Sequence, residues 1–278
     1  MTRAAVFHAA GDVRIEDRTL AELGPADALV RVRACGMCGS DGAEWSHGPV
    51  LAVPPVVLGH EFVGVVEEVG EDVDGLAVGA TVVSGAGVSC GSCSRCREGR
   101  TNLCLGYHTV GFDRDGGLAG HAVVPASTLF DVSDTGLSVD TLAMAQPMAI
   151  AVHAVRRSGL VAGQVAVVIG VGGIGGYLTV AASALGATVV VSDLDRERLG
   201  LAKRLGATEV VLAGTTPLAD FLAARELRAD VIFEASGSAP ASRRRSPRSR
   251  GAAQWCRWGS SVSRSPPRSR AGPSTSSR

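Results

Sequence analysis

Lysine, aromatic residues and long apolar runs are all scarce in this chain, and each scarcity narrows what it can be. No stretch reaches the roughly 18 uninterrupted apolar residues a membrane span needs, and Met1 to Asp12 lacks the apolar core of a secretion signal. A cytoplasmic protein without a membrane partner is therefore expected. Aromatics make up only 4% of the 278 residues, yet hydrophobic residues make up 46%, enough apolar material for one large or two medium domains. Acidic residues are missing altogether from residues 242–278, which hold ten arginines, whereas residues 1–241 hold all 27 acids against 17 Lys and Arg. The formal net charge of zero is thus a cancellation between two unlike parts. An acidic body gives no electrostatic reason to expect a nucleic-acid partner.

From Arg3 to about Val124 the pattern is one of short β-type runs between glycine turns, such as Ala28–Ala34, Phe62–Val69 and Ala80–Ser84. A β-rich domain over residues 1–145 follows. From about Asp140 the period changes, and Thr141–Ser158 is compatible with helices. Val165–Ile169, Thr188–Ser192, Glu209–Leu212 and Asp230–Ala235 are then short apolar strands separated by helical segments. That alternation predicts a parallel, doubly wound sheet over residues 146–241. After Ala241 the composition turns abruptly to Arg, Ser, Pro and Gly, with no hydrophobic period. Such a segment buries too little apolar surface to offset chain entropy, so residues 242–278 are expected to be disordered. An RNA-binding Arg/Ser tail is one alternative. An out-of-frame stretch of a GC-rich gene is the favoured one, because the break interrupts an unfinished sheet and Lys203 is the body's only lysine. On that reading the strand Val231–Ala235 leaves an apolar sheet edge bare.

Four of the seven cysteines, Cys90, Cys93, Cys96 and Cys104, sit in one glycine-containing loop. In a chain without a secretion signal, thiols at two-residue gaps are more often metal ligands than disulfides. Four soft donors suit tetrahedral zinc, and a closed thiolate shell leaves no position for substrate, so this zinc is expected to be structural. A zinc-ribbon nucleic-acid module fits less well, since such modules place two cysteine pairs on separate knuckles.

The run Val165 to Gly175 carries glycines at 170, 172, 173 and 175, follows a strand, opens a helix and precedes Asp193 at the end of the next strand. This is the full context of a dinucleotide-binding fingerprint. The glycines let backbone approach a pyrophosphate at the helix N-terminus, and Asp193 is placed for the ribose hydroxyls. Its charge repels a 2′-phosphate, so NAD is expected rather than NADP.

Upstream lie Cys35-Gly-Met-Cys38-Gly-Ser40-Asp41 and Gly59-His60-Glu61. Taken with the cysteine loop, these segments resemble the zinc-containing medium-chain alcohol dehydrogenase family, in particular its polyol and butanediol dehydrogenase branch, over about Arg3 to Ser238. The resemblance implies a GroES-like β-barrel catalytic domain joined to a Rossmann domain, here incomplete because family members run on well past the point matching Ser238. It implies that Cys38 and His60 are ligands of a catalytic zinc, that Glu61 can enter the metal shell and that Ser40 begins a proton relay. The implied chemistry is hydride transfer between a secondary alcohol or polyol and NAD, in a family that is usually homo-oligomeric. Two positions depart from the branch. Gln146 stands where a glutamate is common and offers only a neutral carbonyl, and Ala43 replaces a histidine that passes the proton outward. Cys35 reads as a small buried hydrophobe, and the remaining histidines 8, 47, 108, 121 and 153 lack partners at ligand spacing, with His153 kept as a neighbour of the site. Rival readings are a non-catalytic zinc-binding remnant and a zinc-free quinone reductase, against which the metal motifs argue.

Overall fold

Alternation of small and branched apolar residues makes the first half of the chain form antiparallel sheets. The computed structural model describes residues 1–237 and the backbone of 254–257. Strands β1 (Thr2–Ala9), β2 (Asp12–Arg18) and β3 (Asp27–Gly36) are followed by helix α1 (Gly39–His47). Next come β4 (Val56–Val57), β5 (Glu61–Val69), β6 (Thr81–Ser84) and β7 (Gly87–Val88), then the one-turn helix α2 (Ser94–Arg97). Strands β8 (His108–Thr109), β9 (His121–Pro125) and β10 (Leu129–Asp131) complete this half. One sheet has the order β2-β1-β4 and a larger one the order β10-β6-β5-β3-β9. Val30, Phe62, Val66, Val82, Val110 and Val124 fill the space the larger sheet encloses. Phe62 is 1% exposed, so truncating it to alanine would cost about 3–5 kcal/mol.

Two helices, α3 (Val139–Ala143) and α4 (Ala145–Ser158), lead into the second half. There β11 (Val165–Ile169), α5 (Gly173–Ala184), β12 (Thr188–Asp193), α6 (Arg196–Arg204), β13 (Glu209–Leu212), α7 (Leu218–Ala223) and β14 (Val231–Glu234) alternate as expected. All strand pairs are parallel, in the order β13-β12-β11-β14-β15, where β15 is Gln254–Arg257. Ala166, Val167 and Val168 are fully buried because helices cover both faces, which explains the unbroken apolar run in β11. The chain winds one way from β11 to β13 and the other way from β11 to β14, so a crevice opens between β11 and β14 at their C-terminal ends.

One expectation is overturned. The edge of β14 is not bare, because β15 pairs with it in parallel register from Val231↔Gln254 to Glu234↔Arg257. Backbone pairing needs no hydrophobic period. An open ladder of N–H and C=O groups accepts any extended, proline-free segment, and Gln254-Trp-Cys-Arg257 is one. The expectation of disorder for the rest of residues 242–278 lies outside the described residues. Among the described residues no helix is long and apolar enough to cross a membrane.

Candidate functional site

Antiparallel pairing of β3 with β5 sets Cys35 opposite Phe62 and Gly36 opposite Glu61, which carries the following Cys38 to the Gly59-His60-Glu61 segment. Cys38 is the N-cap of α1, and the Asp41 carboxylate closes a capping box by accepting the Cys38 N–H through Oδ2 at 2.8 Å. Gly59 is required twice over. Its φ is +94°, and a Cβ there would sit 2.7 Å from both the Cys35 sulfur and Leu118. Gly36 likewise has no room for a side chain, since a Cβ would meet the Glu61 carboxylate at 2.7 Å.

The ligand atoms of Cys38, His60 and Glu61 all lie within 4.8 Å of one another, with His60 and Glu61 buried. His60 Nε2 stands 4.0 Å from Glu61, while Nδ1 stands 3.8 Å from Asp41 Oδ1, and the imidazole packs against the Phe112 ring. Asp41 Oδ1 and His60 Nδ1 are both buried without a hydrogen-bond partner. Burial pushes the Cys38 thiol up, opposed by the Ser40 hydroxyl and N–H directed at its sulfur. Burial also pushes the Glu61 carboxyl up, opposed by His60. A half-buried thiol with a buried imidazole and carboxyl in one cluster, each costly to charge alone, fits a divalent cation that compensates them together. Asp41 is the member that sequence reasoning missed. Its only signal was its place three residues after Cys38, which reads equally as a helix cap.

Cys35 packs at the edge of the barrel core, and burial raises its thiol to about 12, as expected of an inert filler. His153 is exposed on α4 and stands apart from the cluster. His8 and His121 pair instead with Glu16 and Glu67.

The four-cysteine loop brings its sulfurs together without disulfides. Cys93 lies 3.5 Å from Cys96 and 4.0 Å from Cys104, and Cys90 lies 4.0 Å from Cys96. Zinc–sulfur bonds of about 2.3 Å would set tetrahedral sulfurs roughly 3.8 Å apart, so the spacing fits zinc. The N–H groups of Ser92 and Cys93 pull the Cys90 thiol down to about 6, toward the thiolate that a metal takes.

In the second half, Gly170 ends β11 with φ +89°, and Ser236 Cα lies 2.6 Å from where its Cβ would be. Gly175 packs on the Gly170 carbonyl with no room for a methyl group. At Gly172 and Gly173, the N-cap and first residue of α5, a Cβ would meet nothing within 4 Å. That open space over a helix N-terminus fits a pyrophosphate. Asp193, 8% exposed, has a task its sequence position did not announce. Its Oδ2 accepts the Val171 N–H at 2.6 Å and its Oδ1 the Asp195 N–H at 2.9 Å, which pins the glycine loop to the end of β12. On the other side, Glu234 Oε1 accepts both the N–H and the hydroxyl of Ser236, at 2.9 and 2.6 Å, holding that residue beneath Gly170.

Comparison with known proteins converges on one group. Residues 24–134 match the family model for the alcohol dehydrogenase GroES-like domain, and residues 173–246 that for zinc-binding dehydrogenases. A D-xylulose reductase A of Aspergillus niger is 36% identical over 240 residues, covering 82% of this chain and 67% of that protein. An L-idonate 5-dehydrogenase of Vitis vinifera is 36% identical over 208 residues, covering 73% of this chain and 57% of that protein. The chain therefore spans between about half and two thirds of the length of these relatives. A zinc-binding dehydrogenase of Sinorhizobium meliloti 1021, solved bound to NADP, superimposes with a TM-score of 0.82 at 35% identity, over 87% of this chain and 72% of that one. With a barrel of this topology, a Rossmann sheet and both cysteine-bearing segments in place, the chain belongs to the zinc-binding medium-chain alcohol dehydrogenases, a family of oxidoreductases.

Proposed function

We propose that this chain carries the machinery for hydride transfer between a secondary alcohol or polyol and NAD, with residues 1–145 as the catalytic domain and 146–241 as the nucleotide domain. The observation that carries this reading is the cluster of half-buried Cys38 with buried His60 and Glu61, with the orphaned Asp41 oxygen behind the histidine. Cys38, His60 and Glu61 would hold a catalytic zinc, and Cys90, Cys93, Cys96 and Cys104 a structural one. When bound, zinc polarises an alcohol oxygen and NAD accepts the hydride.

The protein's own groups do the positioning. Asp41 Oδ1 stands 3.8 Å behind His60 Nδ1, beyond hydrogen-bond reach in this structure but placed to accept the Nδ1–H on a small approach, which would fix the tautomer and leave Nε2 facing the cluster. Ser40, whose hydroxyl already reaches the Cys38 sulfur, stands where the alcohol proton leaves and begins its path outward. With Ala43 one turn along α1, that path continues through water. Gly172 and Gly173 present the α5 N-terminus to the pyrophosphate, and Gly170 and Gly175 keep the loop thin enough to allow it. The Asp193 carboxylate disfavours a 2′-phosphate, so NAD is the preferred cofactor even though the Sinorhizobium neighbour was solved with NADP.

The test combines metal analysis with an NAD-linked assay on a panel of secondary alcohols. About two zinc ions per chain and turnover lost in Cys38→Ser support the reading. A single zinc with no turnover supports a non-catalytic remnant instead.

A further inference from the structure

Glu44 is among the most deeply buried side chains of the protein, 1% exposed, and it belongs to neither metal cluster. No Lys, Arg or His forms an ion pair with it among the described residues. A carboxylate taken out of water with no cation beside it is costly unless hydrogen bonds replace its hydration. Glu44 has two such bonds, Oε2 accepting the Val50 N–H at 2.8 Å and Oε1 the Leu51 N–H at 2.6 Å. Gly48 reinforces them by donating its N–H to the Glu44 carbonyl at 2.8 Å, packed so closely that a methyl group would not fit. The last turn of α1 is thereby fastened to the segment that follows it.

That segment leads back to the Cys38, His60 and Glu61 cluster. The Val53 N–H donates to the Phe112 carbonyl at 2.9 Å, and Ala52 packs with Phe112 in one apolar cluster with Phe7, Val56 and Leu58. The Phe112 ring in turn lies 5.1 Å from the His60 ring, tilted by 47°. Gly111, just before it, has φ +86° and abuts the Gly59 carbonyl, 2.9 Å from where a Cβ would be. Glu44 thus connects two walls of the cluster. The N-terminal end of α1 places Cys38 and Asp41, and its C-terminal end, through residues 50–53, places Phe112 against His60.

Resting on the metal reading above, we propose that Glu44 is a positioning residue of the Cys38, His60 and Glu61 centre, setting the His60 ring relative to Cys38 by tying residues 50–53, and hence Phe112, to α1. His60 follows Cys38 by 22 residues, and the pairing of β3 with β5 restrains only the strands beside them. Nδ1 of His60 has no hydrogen-bond partner, so packing on Phe112 carries the orientation of the imidazole. A metal ion requires its donor atoms at set distances, and loosening the groups that orient a ligand weakens affinity about 10–100-fold. The residue type matters as much as the place. Glutamate can accept two successive N–H groups, glutamine has one acceptor oxygen, and aspartate is shorter by a methylene group.

The experiment strips zinc from the metal-loaded full chain with graded EDTA and counts the zinc retained in wild type, Glu44→Gln, Glu44→Asp, Phe112→Leu and the double variant Glu44→Gln/Phe112→Leu. Cys38→Ser identifies the release step of the Cys38 site, and thermal unfolding runs alongside. Glu44→Gln and Glu44→Asp should each weaken zinc at that site about tenfold or more, with the four-cysteine zinc unmoved. In the double variant the loss should fall short of the sum of the single losses, because both act through one contact. Unchanged affinity in Glu44→Gln would overturn the proposal, and full affinity in Glu44→Asp would do so by showing that charge rather than reach matters. Equal weakening of both zinc sites, or additive losses, would overturn it in favour of a general loosening of the fold. A wild type that holds zinc only at the four cysteines would sink the metal reading itself and the proposal with it.

Discussion

Replacing Asp193 by alanine should weaken nucleotide binding by roughly a hundredfold rather than exchange NAD for NADP. From the sequence alone, losing the carboxylate would simply remove the charge that opposes a 2′-phosphate, and the gap between the two cofactors would narrow. The structure changes that expectation, because both carboxylate oxygens are already engaged by the Val171 and Asp195 N–H groups at 2.6 and 2.9 Å in a buried setting. Hydrogen bonds to a charged acceptor contribute about 1.5–3 kcal/mol each. Alanine forfeits two of them and strands two donors, so the ordered loop should lose about 3 kcal/mol or more, roughly a hundredfold in its population. Asparagine keeps one acceptor oxygen and should fall between the two. Calorimetric titration with NAD, NADP and ADP-ribose reads the outcome, with urea unfolding beside it. All three ligands should weaken together in Asp193→Ala. Improved NADP binding with ADP-ribose affinity intact would show that the carboxylate serves only the ribose, and the argument from the loop would fail.

Gly59→Ala forces an L-residue to φ +94°, about 1–3 kcal/mol of backbone strain, and drives a methyl group against Cys35 and Leu118. Atomic absorption should find one zinc lost and the four-cysteine zinc kept; two zincs retained would contradict the geometry. Cys93→Ser removes a soft donor from a closed shell and should chiefly lower the melting temperature, whereas Cys38→Ser should end turnover with little change in melting. Equal destabilisation by both would erase the distinction between the two metal sites. Trp255→Pro removes the N–H at the position paired with Ile232 and should uncover the β14 edge, raising aggregation measured by light scattering. Unchanged solubility would mean the pairing does not protect the edge.

What the sequence made legible was whatever depends on local spacing. Two-residue gaps between thiols, glycines at a strand-to-helix turn, and a histidine beside a glutamate each encode their own geometry. Strands β11, β12, β13 and β14 were readable because a core strand covered on both faces cannot hide its apolar run. What stayed illegible arises only when distant segments meet. Asp41 gives no sign in sequence that His60 will turn its Nδ1 toward it, since β3 and β5 must pair first. The part Asp193 plays in holding the glycine loop left no mark in the sequence, because its two backbone partners are unremarkable amides, one of them 22 residues away. The seating of Ser236 under Gly170 and the pairing of β15 with β14 likewise depend on backbone shape, which composition does not record.

The contact between Gly170 and Ser236 has a temporal meaning. Every glycine of the nucleotide loop leaves the ribosome before residue 176, and Asp193 follows soon after, yet the floor beneath Gly170 arrives only with β14 and residue 236. A nascent chain holding β11, β12 and β13 would own the whole fingerprint and still lack the surface on which it rests. On this geometry a firm nucleotide site is expected only once β14 has docked against β11.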